Sequence, residues 1–71
     1  MKKRISIEGM SCGHCVRHVE EALRDVAGVA GVTVDLNGKN AIVELTGDIA
    51  DTILKSAVEE AGYDVTSITV L

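Results

Sequence analysis

The stretch KRISIEGMSCGHCVRHV, residues 3–19, changes its hydrophobic period in the middle. Ile5 and Ile7 alternate with polar residues, which is the pattern of a half-buried β-strand. From about His14 onward the apolar residues recur three and four positions apart, which is the pattern of an amphipathic helix. The stretch therefore predicts a strand from Lys3 to Glu8 and a following helix, joined by a loop that holds both cysteines of the chain.

The middle of the chain predicts the rest of this helix and a β-hairpin. The helix is expected to end at Gly28, and its buried stripe is expected to consist of Val16, Val19, Leu23 and Val26. Two alternating runs, residues 32–36 and 41–45, flank Asn37-Gly38. Because Asn-Gly is a strong turn signal, we expect the two runs to form a hairpin.

The last third of the chain predicts a second helix and a final strand. Asp48 is the expected N-cap of the helix, and Gly62 is its expected end. Its buried stripe is expected to consist of Ile49, Ile53, Ala57 and Ala61, widened by Leu54 and Val58. Residues 65–70 alternate less clearly and predict a strand with a bulge near Val65.

The predicted order of elements is β-α-β-β-α-β. It contains two strand–helix–strand crossovers, and such crossovers are right-handed. The order fits the α+β class and specifically the ferredoxin-like sandwich, a four-stranded antiparallel sheet with two helices on one face. Since the chain has 71 residues, we expect a single domain over residues 1–71.

The composition argues against several classes of function. The net charge of −4 and the presence of one aromatic residue, Tyr63, disfavour nucleic-acid binding, which needs a basic surface with stacking aromatics. The basic start, residues 1–4, is followed by an alternating strand rather than by the apolar core of a signal peptide, and no stretch is long enough to span a membrane. We therefore expect a soluble, cytoplasmic protein with no direct membrane insertion. In that compartment two close cysteines stay reduced and serve metal binding or catalysis.

Cys12 and Cys15 stand three positions apart where the first strand leads into the first helix. Gly13 is expected to relieve backbone strain between them, and Ser11 is the expected N-cap. The positive end of the helix dipole favours thiolates, so at least one cysteine is expected to have a pKa below that of an ordinary thiol. Two thiolates are too few for a closed zinc site but suit Cu(I), and the open side admits a partner thiol. The pair therefore predicts a metal carrier.

The motif Gly9-Met10-Ser11-Cys12-Gly13-His14-Cys15, in a chain of this length and element order, resembles the heavy-metal-associated domain family over residues 5–70. That family comprises bacterial copper chaperones, mercury carriers and the N-terminal domains of metal-pumping P-type ATPases. The resemblance implies that Cys12 and Cys15 bind the metal and that Met10 packs into the core beneath the loop. It also implies that Tyr63, after the second helix, approaches the metal loop, as in the bacterial copper type.

The residue before the first cysteine bears on the choice of metal. Zinc and cadmium pumps of this family carry a carboxylate there, whereas this chain has Ser11. The resemblance therefore implies Cu(I), with Ag(I) as a chemical mimic, in preference to Zn(II). Mercury carriers share the cysteines but are usually exported, so Hg(II) is also less expected.

The resemblance implies a soluble metallochaperone that is not an enzyme. It would transfer Cu(I) by thiolate exchange to the metal-binding domain of a copper-transporting P-type ATPase, or to a copper-responsive repressor. One alternative is an N-terminal metal-binding domain cut from such an ATPase. An alternative of another class is a thiol–disulfide oxidoreductase, although the chain lacks the Trp and Pro that thioredoxin-type sites use.

The remaining candidate ligands are two histidines and a thioether. His14 and His18 are expected to be exposed surface residues, and Met10 to be a core residue rather than a ligand. We expect a monomer without metal. In a metal-bridged dimer the second chain brings its own sulfurs, and there His14 is a candidate additional ligand.

Overall fold

A computed structural model of the chain describes residues 1–10 and 13–71. The elements are β1 (Lys2–Glu8), α1 (Gly13–Arg24), β2 (Val29–Asp35), β3 (Asn40–Leu45), α2 (Asp51–Glu60) and β4 (Asp64–Val70). The described strands form one sheet in the order β2-β3-β1-β4, and every neighbouring pair is antiparallel. The predicted βαββαβ order and the ferredoxin-like class are confirmed.

The hydrophobic core lies between the sheet and the two helices. Ile5 lies in the centre of the sheet, opposite Ala41 of β3 on one side and Ile68 of β4 on the other. The largest fully buried side chains come from β1, β3 and both helices: Ile5, Ile7, Val43, Val19, Leu23, Leu54 and Val58. Since burying one such side chain contributes about 1.5–3 kcal/mol, this cluster is the main source of stability.

The first helix is shorter than the sequence predicts. It ends at Arg24 rather than at Gly28, and β2 already begins at Val29. Gly28 has a φ of 94°, so it provides the left-handed turn into β2 instead of capping the helix. The carbonyl oxygen of Gly28 accepts a hydrogen bond from the backbone N–H of Thr46 at 2.8 Å, which holds this turn against the end of β3.

The second helix begins three residues after its predicted cap. The N-cap is Ala50, without a side-chain cap hydrogen bond, so the prediction for Asp48 is wrong. Ile49 is buried ahead of the helix and therefore does not mark its inner face. That face is centred on Leu54 and Val58, whereas the predicted stripe residue Ile53 is 51% exposed.

The last strand contains the expected irregularity. Ser6 lies opposite Ser67, but Ile7 lies opposite Val65, so Thr66 is the extra residue of a bulge next to the predicted position. The bulge explains why the alternation in β4 is indistinct, because it brings Val65 and Ile68 to half-buried positions three residues apart.

Three connections meet at one end of the sheet. Glu8 at the end of β1 lies opposite Asp64 at the start of β4, and Ser6 lies opposite Asn40 at the start of β3. The loop after β1, the predicted hairpin turn at residues 36–39 and Tyr63 are therefore close together. This end of the molecule holds the described residues of the cysteine motif, 9–10 and 13–15.

Candidate metal centre

The chain leaves β1 through a glycine in the left-handed region. Gly9 has a φ of 89°, a conformation that other residues rarely adopt. Met10 follows and is 4% exposed, as a member of the hydrophobic core. Its side chain therefore lies inside, where the resemblance placed it, and fixes the start of the loop to the core.

Two residues of the motif, Ser11 and Cys12, lie outside the residues that the structure describes. The predicted cap at Ser11 and the predicted metal ligand Cys12 therefore stay predictions. The same holds for strain relief at Gly13, which adjoins Cys12, and for the separation of the two sulfurs.

Cys15 is in the first turn of α1. Its side chain is half-buried and packs against the hydrophobic core. The described residues of this turn include no acidic side chain. The N-terminal end of a helix carries partial positive charge, which was the basis for expecting a lowered thiol pKa here, and that expectation stays a prediction.

Tyr63 lies between the start of the loop and α1. Its ring is half-buried against the core, and a Cβ built on Gly9 would lie 3.7 Å from the ring atom Cδ1 of Tyr63. The hydroxyl oxygen of Tyr63 lies 3.5 Å from Nδ1 of His18, a long contact in which the imidazole tautomer decides which group donates. Its expected shielding of the metal stays a prediction.

The two histidines occupy different surroundings. Both are exposed, but His18 contacts Tyr63, whereas His14 lines a shallow cleft with Gly13 and Arg17. The contact of His18 was missed in the sequence analysis because 45 positions separate the two residues. Helical spacing alone placed His18 on the surface and indicated nothing about the residue opposite.

A second cleft opens on the other side of the loop. It lies between the loop and the hairpin turn, and its lining consists of Glu8, Gly9, Met10, Leu36, Asn37 and Lys39. The backbone N–H of Ile7 donates to the carbonyl oxygen of Lys39 at 2.9 Å, which ties the turn to β1. The start of the loop is therefore bordered by open space on the hairpin side.

Within residues 1–10 and 13–71, no three His, Cys, Asp or Glu side chains are grouped so that they could hold a metal ion. None of the helices in these ranges has both the length and the apolar character needed to cross a membrane.

The comparisons with known proteins agree on one family. The model of the heavy-metal-associated domain matches residues 4–64. A curated relative, the copper chaperone CopZ of Staphylococcus aureus, is 42% identical over 62 residues, which cover 86% of this chain and 91% of the relative.

Solved structures give the same result. A CopZ metallochaperone has a TM-score of 0.87 at 37% identity, covering 93% of this chain and 100% of the other. A copper-binding domain from HMA7, a P-type ATPase, has a TM-score of 0.86 at 31% identity, covering 99% of this chain and 96% of the other.

Proposed function

Because this chain belongs to the heavy-metal-associated domain family, we propose that residues 1–71 form a single domain that binds Cu(I) through Cys12 and Cys15. The main support is the position of the motif: the cysteines fall where β1 has ended at Glu8 and α1 begins at Gly13. A curated relative at 42% identity is named a copper chaperone. Ag(I) would bind as a mimic of Cu(I), with Zn(II) and Hg(II) as poorer cargoes.

The chemistry of the donors supports a carrier. Thiolate sulfur is a soft ligand, and Cu(I) accepts low coordination numbers. Two protein sulfurs leave one side of the ion open, so an incoming thiolate can bind before a departing one leaves. Transfer then proceeds by ligand exchange, and the relative affinities of donor and acceptor set its direction.

The surroundings of the loop support this role without supplying ligands. Met10 anchors the start of the loop in the core, and Gly9 provides the turn that directs it there. Tyr63 covers the junction from the α2 side. Ser11 is proposed to cap α1, and Gly13 to relieve strain in the loop.

The proposed acceptor is the metal-binding domain of a copper-transporting P-type ATPase. Support comes from the likeness of this chain to a copper-binding domain of a P-type ATPase. Two domains of the same fold present their cysteine loops in the same way, which favours a shared-metal intermediate. A copper-responsive repressor is the second proposed recipient, and the proposed compartment is the cytoplasm. An excised domain of an ATPase is the alternative closest in chemistry.

Transfer is tested by mixing the Cu(I)-loaded chain with the metal-free copper-binding domain of a P-type ATPase under anaerobic conditions. We expect rapid, reversible exchange whose rate rises with acceptor concentration. A rate that equals spontaneous Cu(I) dissociation and does not depend on the acceptor would contradict ligand exchange. The alternative of a thiol–disulfide oxidoreductase predicts metal-independent reduction of insulin, which the proposed non-enzymatic carrier does not show.

A metal-bridged dimer is the remaining part of the proposal. The exposed position of His14 at the start of α1 allows it to reach toward metal held by a second chain. We expect His14→Ala to weaken copper-dependent dimerisation, with His18→Ala as the matched control one turn further along α1. If His14→Ala dimerises unchanged in sedimentation experiments, His14 is not a ligand of the bridging metal.

A further inference from the structure

The strand β4 is one of the two edge strands of the sheet. The strand order β2-β3-β1-β4 pairs β4 with β1 on one side, and no described strand covers its other side. A shallow cleft runs between this edge and α2, with Asp51, Thr52 and Lys55 on the helix side and residues 65–68 on the strand side. Exposed strand edges are templates for pairing with another strand.

The hydrogen bonds of β4 show which of its groups point outward. The backbone N–H of Leu71 donates to the carbonyl oxygen of Lys2 at 2.9 Å, and Val70 lies opposite Lys3. In an antiparallel pair, residues alternate between bonding to the partner strand and facing away from it. The N–H and C=O groups of Val70 and Ile68 therefore point to the open edge, whereas those of Thr69 point to β1.

We propose that β4 pairs antiparallel with β4 of a second copy of this chain, with Thr69 opposite Thr69. This register places Ile68 of each copy opposite Val70 of the other. The outward N–H and C=O groups of Ile68 and Val70 from both copies then lie along the shared edge. Each of the two opposed Ile68–Val70 pairs forms two hydrogen bonds, which gives four in total. Such a contact is isologous, so it closes at two copies.

The side chains of β4 are suited to pairing with β4 of a second copy. Residues 65–70 carry no charge and are mostly β-branched. Val70 is 61% exposed, and in this register it covers the half-buried Ile68 of the other copy. On the open face of the sheet, the exposed Thr69 side chains meet each other as a cross-strand pair.

Charges on the neighbouring helix are also complementary. Asp51 contacts Lys3, which lies opposite Val70, so Asp51 is level with Val70. Lys55 is one helical turn of about 6 Å further along, which matches the spacing of about 7 Å between Val70 and Ile68. The antiparallel register therefore sets Lys55 of one copy level with Asp51 of the other.

The paired state leaves the metal loops accessible. Thr69 is near the end of the sheet opposite to the cysteine motif, because β4 runs away from Asp64. The two loops then lie at opposite ends of the assembly. This dimer differs from a metal-bridged one, since it needs neither metal nor cysteines. The metal-free monomer expected from the sequence would then predominate only in dilute solution.

The test is sedimentation velocity of the reduced, metal-free protein up to about 1 mM, repeated with the double variant Cys12→Ser, Cys15→Ser. We expect both proteins to associate to the same degree. Thr69→Lys and Thr69→Glu should each raise the dimer dissociation constant about fivefold by like-charge repulsion. A 1:1 mixture of the two variants should restore dimers, which also shows that both variants are folded.

Two further variants locate the contact. Val70→Pro removes an outward N–H while leaving the bonds to β1, and it should raise the dissociation constant at least about tenfold. Thr33→Lys, an exposed position on the other edge strand β2, is the matched control and should change nothing. Monomers throughout the concentration range, a dimer that both Thr69 variants leave intact, or no recovery on mixing would overturn the proposal.

Discussion

Nζ of Lys3 lies 2.7 Å from Oδ1 of Asp51 and donates a second hydrogen bond to the carbonyl oxygen of Ile49 at 2.8 Å. Lys3 is 5% exposed, which is rare for a lysine outside such a pair. The contact joins the central strand β1 to the start of α2, across 48 positions of sequence. It fixes the backbone just before α2 and the first residue of that helix, where the N-cap Ala50 has no side chain that could accept a hydrogen bond.

Replacing this lysine is expected to destabilise the fold. Lys3→Ala removes two hydrogen bonds made by a charged group and should lower the free energy of unfolding by about 2 kcal/mol. The matched control is Lys2→Ala, since Lys2 pairs with Glu44 at 3.4 Å and both side chains are 57% exposed. Urea denaturation should give a change below about 0.5 kcal/mol for the control. Equal losses in the two variants would show that burial of Lys3 is not important.

The glycine at the end of β1 is expected to be sensitive to substitution. Gly9→Ala forces a Cβ into a left-handed backbone, which costs about 1–2 kcal/mol. Among the described residues, the nearest atom to that Cβ would be Cδ1 of Tyr63 at 3.7 Å, an ordinary contact. Gly47→Ala is the control, as a Cβ there meets no described residue within 4 Å and the φ of Gly47 is not in the left-handed region. Thermal unfolding should show a lower unfolding temperature for Gly9→Ala than for Gly47→Ala. An unchanged unfolding temperature of Gly9→Ala would contradict the left-handed conformation of Gly9.

Tyr63 is expected to act through its ring more than through its hydroxyl. Tyr63→Phe removes the hydroxyl, with its exposed contact of 3.5 Å to His18, and keeps the ring, so it should change stability less than Tyr63→Ala does. Tyr63→Ala removes a half-buried ring from the core and should cost about 2 kcal/mol or more. In the copper-loaded protein, Tyr63→Ala should also speed capture of Cu(I) by an added chelator. If Tyr63→Phe has the full effect, the hydroxyl is the important group.

The inner face of α2 gives a direct test of the corrected prediction. Leu54→Ala should cost about 2–5 kcal/mol, because Leu54 is fully buried. Ile53→Ala should cost less than about 1 kcal/mol, since Ile53 is 51% exposed. Chemical denaturation of the two variants compares them directly. A larger loss of stability in Ile53→Ala than in Leu54→Ala would instead support the buried face predicted from the sequence.

Helices and strands were predicted correctly from the sequence where the local residue pattern and the tertiary packing agree. The alternation around Ile5 and Ile7 and the hairpin at Asn37-Gly38 were predicted correctly because one face of each strand is buried. The start of α2 was wrong because its N-terminus is held by Lys3, from the other end of the chain. The alternation of β1 did place Lys3 on the inner face, but a lysine alone gives no signal of its distant partners.

In the candidate site, too, some residues were predicted from the sequence, whereas one contact required the structure. Its cysteines, Met10 and Tyr63 were identified from spacing and resemblance, and the structure places Met10 in the core and Tyr63 against Gly9. The contact between Tyr63 and His18 required the tertiary structure, since it depends on how α2 packs beside α1.

Metal binding by Cys12 and Cys15 is tested by anaerobic titration of the reduced protein with Cu(I) against a chromophoric Cu(I) chelator. Zn(II) is titrated in parallel, and Cys12→Ser and Cys15→Ser are the controls. We predict tight binding of Cu(I) that Zn(II) does not displace and that either substitution abolishes. Weak Cu(I) binding beside tight Zn(II) binding, or Cu(I) binding that survives loss of either cysteine, would contradict this prediction.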